Sequence, residues 1–257
     1  MLRSRIIPCL LIHKGGLVKT VNFKNPKYVG DPINAVRIFN EKEVDELIVI
    51  DIDSTVESKE PNYDLIANLA GECRMPLCYG GGVNTPEQVE KIVSLGVEKV
   101  AISSSALLNP EIISESAKRV GNQSLVVVLD IKKVGLFNKK YQIFTHNGKK
   151  HIDIDICQAA INAEKMGAGE IVINNIDREG TLKGYDLELI DQIYNSLNIP
   201  LTVIGGAGSE DNFQELIEKY KVIGVSAGSI FVLTGKYRAV LIQYFTEKQK
   251  NKILGIN

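Results

Sequence analysis

Apolar residues recur along this chain in two alternating patterns. The first is the short continuous run. Examples are IIPCLLI at 6–12, LIVIDI at 47–52, PLCY at 76–79 and VEKVAI at 97–102. SLVVVLDI at 124–131, EIVIN at 170–174, PLTVI at 200–204 and VIGVSA at 222–227 complete the set. Runs of this length and uniformity read as strands covered on both faces. The second pattern places an apolar residue every three or four positions. It predicts helices over 32–40, 62–72, 86–95, 110–120, 155–166 and 185–197, and a closing helix over 236–248. Asp31 and Thr85 stand as N-caps, each followed by proline at the first helical position, and Gly96 and Gly167 end their helices. Two stretches fit neither pattern. Residues 13–31 read as a long polar loop, a kind of segment that is usually functional. Residues 132–150 are basic, alternate over 141–145 and offer an Asn147-Gly148 turn, so they read as a β-hairpin.

Eight strands alternating with helices, with no linker between them, predict a parallel sheet. A closed barrel of the (β/α)₈ or TIM type fits the 257 residues as a single domain over 1–257. A doubly wound open sheet is the alternative, and no G-x-G-x-x-G turn follows the first strand to support it. The chain also repeats itself. PLCYGGG at 76–82 returns as PLTVIGG at 200–206, and Gly228-Ser229 answers Ser104-Ser105, each 124 residues further on. Such spacing predicts an internal half-barrel duplication. In each copy a glycine turn and a small-residue turn end neighbouring strands. Their backbone N–H groups make a natural anion cradle.

Charge adds exclusions. Thirty basic and 31 acidic residues leave a net charge of −1, without the footprint of a nucleic-acid binder. No apolar run approaches the ~20 residues of a membrane span. Four cysteines without C-x-x-C spacing and three scattered histidines predict reduced thiols, a cytoplasmic protein, no metal site and no cofactor.

In a barrel the active site lies at the C-terminal ends of the strands. The residues there are Lys14 and Lys19 after the first strand, Asp51 and Asp53 after the second, and Gly81 and Gly82 after the third. Ser103 and Ser104 follow the fourth, Asp130 the fifth, Asn174, Asp177, Gly180 and Thr181 the sixth, then Gly205-Gly206 and Gly228-Ser229. Two cradles across one mouth suit a bisphosphorylated ligand. Asp130 suits a general acid or base, with an inward Asp held by hydrogen bonds as the alternative. Lys19 can close over a phosphate, or be a solvated loop lysine. Asp51 suits a structural or substrate-positioning role.

RIIPCL, VNFKNPKYVGDPI, DELIVIDID, the GGG turn, VVVLDIKK, GAGEIVINNIDREGTLKGYD and GGAG together resemble HisF. HisF is the cyclase subunit of imidazole glycerol phosphate synthase, and the resemblance runs the length of the chain. It implies a duplicated (β/α)₈ barrel in a heterodimer with a HisH-type glutaminase. Ammonia crosses the barrel to react with a phosphoribulosyl bisphosphate at the mouth. It also implies a gate of charged residues, Arg5, Glu46, Lys99 and Glu170, for which a structural ion-pair ring is the alternative. Glu98 is implied as a contact to the partner. The family uses two catalytic aspartates. One matches Asp130; at the other position this chain has Leu11, which cannot transfer a proton. Ser103 and Glu179 also depart, standing for Asn and Asp. This pattern is similar to a HisF-like branch associated with amidation of nucleotide sugars in surface-polysaccharide synthesis, where a third protein receives the ammonia. An orthodox histidine-pathway cyclase and a catalytically silent scaffold barrel remain the alternatives.

Overall fold

The computed structural model describes residues 3–135 and 139–256. Eight parallel strands form its centre: β1 (Arg5–His13), β2 (Leu47–Asp51), β3 (Leu77–Gly80), β4 (Lys99–Ile102), β5 (Leu125–Val134), β6 (Glu170–Asn175), β7 (Leu201–Ile204) and β8 (Gly224–Ala227). Each pairs with the next, and β8 pairs back to β1 through Ile7 opposite Ser226. The sheet is therefore a closed (β/α)₈ barrel. Main helices return the chain outside it: α1 (Pro32–Glu41), α2 (Tyr63–Glu72), α3 (Pro86–Ser94), α4 (Glu111–Val120), α5 (Ile156–Met166), α6 (Leu187–Tyr194), α7 (Glu210–Tyr220) and α8 (Glu247–Leu254).

Strand alternation sorts the side chains into two cores. Outward residues such as Ile6, Leu10, Val49, Val127 and Ile171 join the helices in one large cluster. Inward residues Ile7, Cys9, Ile48, Cys78, Ala101, Val126 and Val172 form a second cluster inside the ring. Helix caps match the sequence. Asp31 accepts from Asn34 N, and Thr85 and Gln88 form a reciprocal capping box.

Three elements differ from expectation. Residues 13–31 are a β-hairpin, Gly16–Val21 with Lys24–Gly30, paired onto the end of β1 through Leu11 opposite Val18. Leu17, Val18, Lys19 and Thr20 are all buried, so no period-2 polarity marks the strand. The closing helix starts at Glu247, not near 236. The chain first makes a small hairpin, Leu233–Thr234 with Ala239–Val240, and Leu241 and Gln243 donate backbone bonds to Val232 and Phe231. Thr246 then caps α8. Helix α6 is also shorter than expected, because Asp186 acts as its N-cap and Asn195 ends it. The expected hairpin after β5 is present as Lys140–Thr145 and Lys150–Ile152; its residues 136–138 lie outside the described residues. Among the described residues, no helix is long and apolar enough to cross a membrane.

Candidate functional site

The barrel mouth, at the C-terminal ends of the strands, encloses a cavity of about 350 Å³. Its floor is Cys9, Ile48, Cys78, Ala101 and Val172. Its wall brings together Lys19, Asp51, Gly81, Gly82, Ser103, Ser104, Asp130, Asn174, Gly180, Gly205, Gly206, Gly228 and Ser229. Asp177 and Thr181 lie off this wall. The Asp177 carboxylate accepts from Lys133 N at 2.7 Å, and Thr181 Oγ1 donates to Arg178 O at 2.8 Å; both bonds fix loops.

Asp130 sits on β5 opposite Asn174 of β6, whose Nδ2 donates to its Oδ1 at 3.0 Å. Burial pushes the Asp130 carboxyl up to about 7, the Asn174 bond pulling partly back. A carboxyl poised there can both accept and donate a proton near neutrality. Leu11 faces the same cavity from β1, among Ile50, Val128 and Ile204. Neither nearby aspartate is a free substitute for a carboxylate at position 11. Asp51 accepts from Asp53 N, Ser54 N and Ser54 Oγ within 3.1 Å. Asp53 is held by His13 Nδ1 and Lys14 N, both at 2.7 Å.

The two cradles face each other across the mouth. At Gly82 the backbone has φ +72°, and a Cβ would lie 2.8 Å from Lys59 O and Ser54 Cβ, so only glycine fits. Its N–H donates to Thr55 Oγ1 at 3.1 Å rather than standing open to the cavity. Ser103 Oγ is buried in the cavity wall, and neither it nor Asn174 Oδ1 has a hydrogen-bond partner among the described residues. At the opposite cradle, Lys19 is buried and lies directly over Gly228, where a Cβ would collide with its Nζ. That ammonium also donates to Cys9 O at 3.2 Å. Arg238 reaches Ser229 Oγ at 3.5 Å and Gly180 O at 3.2 Å.

The sequence reading gave no site role to His146, Asn147, Thr55 or Arg238. His146 and Asn147 line the cavity from the hairpin after β5, and Asn147 Nδ2 donates to Ile52 O at 2.7 Å across the mouth. The Asn147-Gly148 turn was the available signal; its position over the cavity was not.

The opposite end of the barrel carries a closed ring of charge. Arg5 bonds Glu46 and, at 2.7 Å, Glu170; Lys99 bonds Glu46 and Glu170, both at 2.8 Å. Thr202 Oγ1 donates to Glu170 at 2.5 Å. Two cations and two carboxylates neutralise each other. Burial alone would lower the Arg5 and Lys99 values and raise that of Glu170. Their mutual attraction outweighs it and holds all three charged. Cys78 lies directly over this ring. Its thiol is raised by burial first, then by Glu46, with Lys99 opposing. Glu98 is on the same face, exposed, with its Oε2 accepting from Leu77 N at 2.8 Å. Among the described residues no three His, Cys, Asp or Glu side chains converge as a metal site.

This duplicated mouth and charged base are set in a (β/α)₈ barrel of one recognisable class. The histidine biosynthesis protein family matches residues 5–238, and the chain belongs to that family. It is 53% identical over 254 residues to a Vibrio vulnificus protein named provisionally as imidazole glycerol phosphate synthase subunit hisF3; the match covers 99% of this chain and 97% of the relative. A Leptospira interrogans protein with the same provisional naming, HisF, is 51% identical over 98% of this chain and 99% of its own. The imidazole glycerol phosphate synthase subunit HisF of Sulfurisphaera tokodaii is 39% identical over 85% of this chain and 86% of its own.

Proposed function

We propose that this HisF-type chain is the synthase subunit of a glutamine-dependent complex. It accepts ammonia from a HisH-type glutaminase at the charged base and passes it through the barrel. The ammonia then leaves for amidation of a nucleotide sugar by a third protein rather than for cyclisation at the mouth. The observation that carries this reading is the contrast between the two ends. The base keeps a complete Arg5–Glu46–Lys99–Glu170 ring, while the mouth has Leu11 opposite Asp130.

The chemistry follows from the lining. Above the ring, Ile7, Ile48, Cys78, Ala101, Val126 and Val172 form an apolar layer. Neutral ammonia crosses such a layer, whereas ammonium loses its solvation there at a cost of several kcal/mol. Lys99 bonds two carboxylates, so it can swing aside while leaving Arg5 to pair both. At the mouth Asp130 and Asn174 can orient a nitrogen nucleophile and take one proton. Ring closure on a phosphorylated substrate requires a second proton-handling group on the far side, and the β1 wall supplies an isobutyl group there.

The test is glutamine hydrolysis by a HisH-type glutaminase from the same source, with and without this chain. Binding at the base should raise turnover by about tenfold or more, within the usual range of coupling between sites. No rise, together with no co-migration of the two proteins, would overturn the reading.

A further inference from the structure

The two halves of the barrel are built alike, yet their cradles differ in where positive charge comes from. At the second cradle the charge arrives on the hairpin after β1: Lys19 lies over Gly228 at the end of β8. The half-barrel repeat relates β1 to β5 and β8 to β4. The hairpin after β5 therefore occupies the place at β4 that the hairpin after β1 occupies at β8. The two registers differ by one residue. Leu11 stands opposite Val18 in the first hairpin, and Asp130 stands opposite Phe144 in the second. Lys19 and His146 follow those paired positions by one and two residues. His146 N donates to Ser104 Oγ at 3.5 Å, which brings that residue to the first cradle.

We propose that His146 is the cationic arm of the first cradle, the counterpart of Lys19, and that it takes up a proton when a phosphate monoester binds there. The proposal rests on the mouth being a site for a phosphorylated ligand. Three observations support it. His146 lines the cavity together with Gly81, Gly82 and Ser104. Its turn is held in place: His146 and Asn147 both have left-handed backbones, φ +53° and +56°, and Asn147 is tied to Ile52 O. Ser103 Oγ is left buried without a partner in the wall of the same cavity. Another cation at this end, Lys59, has its Nζ on Glu57 at 2.5 Å, with a side chain 69% exposed, and meets Gly82 through its backbone.

The imidazole's value is lowered by its surroundings. Burial lowers its value first, and Lys150, whose Nζ lies 3.3 Å from Nε2, lowers it further. Nδ1 faces Thr145 Oγ1 at 3.0 Å. Asp51, Lys59, Asp130, Glu179 and Lys19 share the cavity wall. A dianion bound at Ser104 reverses the balance, because it pairs with an imidazolium and with Lys150 together. The proton comes from solvent and stays on the ring while the anion is bound. Binding at this cradle must then tighten as pH falls through the histidine range by more than binding at the Lys19 cradle, since protonation of Asp130 in the shared wall helps both alike.

Isothermal titration with sulfate, whose charge is fixed between about pH 5 and 8, tests this. The wild-type chain should show two sites, one of them tightening by about tenfold more than the other toward the acid end. His146→Asn keeps a residue that tolerates the left-handed turn. It should weaken that site by about tenfold at low pH and reduce its pH dependence to that of the other site, whose affinity stays as in wild type. Lys19→Gln should weaken only the other site. Two unchanged sites in His146→Asn would overturn the proposal while leaving the phosphate reading of the mouth standing. No sulfate or inorganic phosphate bound by the wild-type chain would overturn both.

Discussion

Asp130 is the residue on which the mouth turns, and its protonation is a stability statement as well as a chemical one. The folded chain holds this carboxyl near 7, whereas an unfolded Asp releases its proton near 3.9. Between those values the folded state binds the extra proton. Its stability therefore falls as pH rises through the interval, and the loss is complete above the folded value. Asp130→Asn removes this penalty and can still pair with Asn174. We expect the variant to be more stable than wild type by about 1–3 kcal/mol at pH 8, and equal to it at pH 4. Urea melts at the two pH values check this; equal shifts at both would contradict it. Leu11 shows the same physics from the other side. It packs with Ile50, Val128 and Ile204, where a carboxylate would need solvation that the apolar wall does not give. Leu11 thus completes an apolar stretch of the cavity wall without disturbing the barrel.

At the scale of the element, the hairpins after β1 and β5 do what the barrel strands cannot. They carry Lys19 and His146 to the wall of the cavity. The second is pinned by Asn147, whose side chain crosses the mouth to Ile52 O from a left-handed backbone. Asn147→Ala loses that bond and adds backbone strain, so it should cost about 1–2 kcal/mol. It should also speed hydrogen exchange at residues 140–145 while leaving β1 to β4 protected. Uniform exchange across the molecule would refute the pinning. The contrast between barrel and hairpin also explains what could be read from sequence. The eight barrel strands are buried on both faces and announce themselves as apolar runs, and Asp31 and Thr85 mark their helix starts by cap chemistry. The hairpin at 13–31 hides because its buried strand includes Lys19 and Thr20, polar residues that face the cavity. The late start of α8 hides because Ala239, Val240 and Leu241 extend the apolar pattern from a strand. Candidate site residues were legible where a strand end fixes them, as at Asp130, Gly81 and Gly205. Those whose place depends on a loop path, Asp177 and Thr181 off the wall and His146 on it, were not.

At the scale of the whole molecule, charge and chemistry are divided between the two ends of one barrel. The base holds a neutralised ring of four ions, the middle is apolar, and the mouth holds two glycine- and serine-lined turns with Asp130 between them. The proposed ammonia-donating role rests on that contrast between the ends. The intact base and the altered mouth are therefore separable in experiment. The most direct measurement is steady-state turnover of the purified chain supplied with ammonium and the phosphoribulosyl bisphosphate of the histidine pathway. Losing one general acid or base typically costs about 10²–10⁴-fold. We expect the wild-type chain to turn over below about 0.01 s⁻¹, and Leu11→Asp to raise the rate. Wild-type turnover of about 1 s⁻¹ or faster would contradict the account and make this chain a cyclase in its own right.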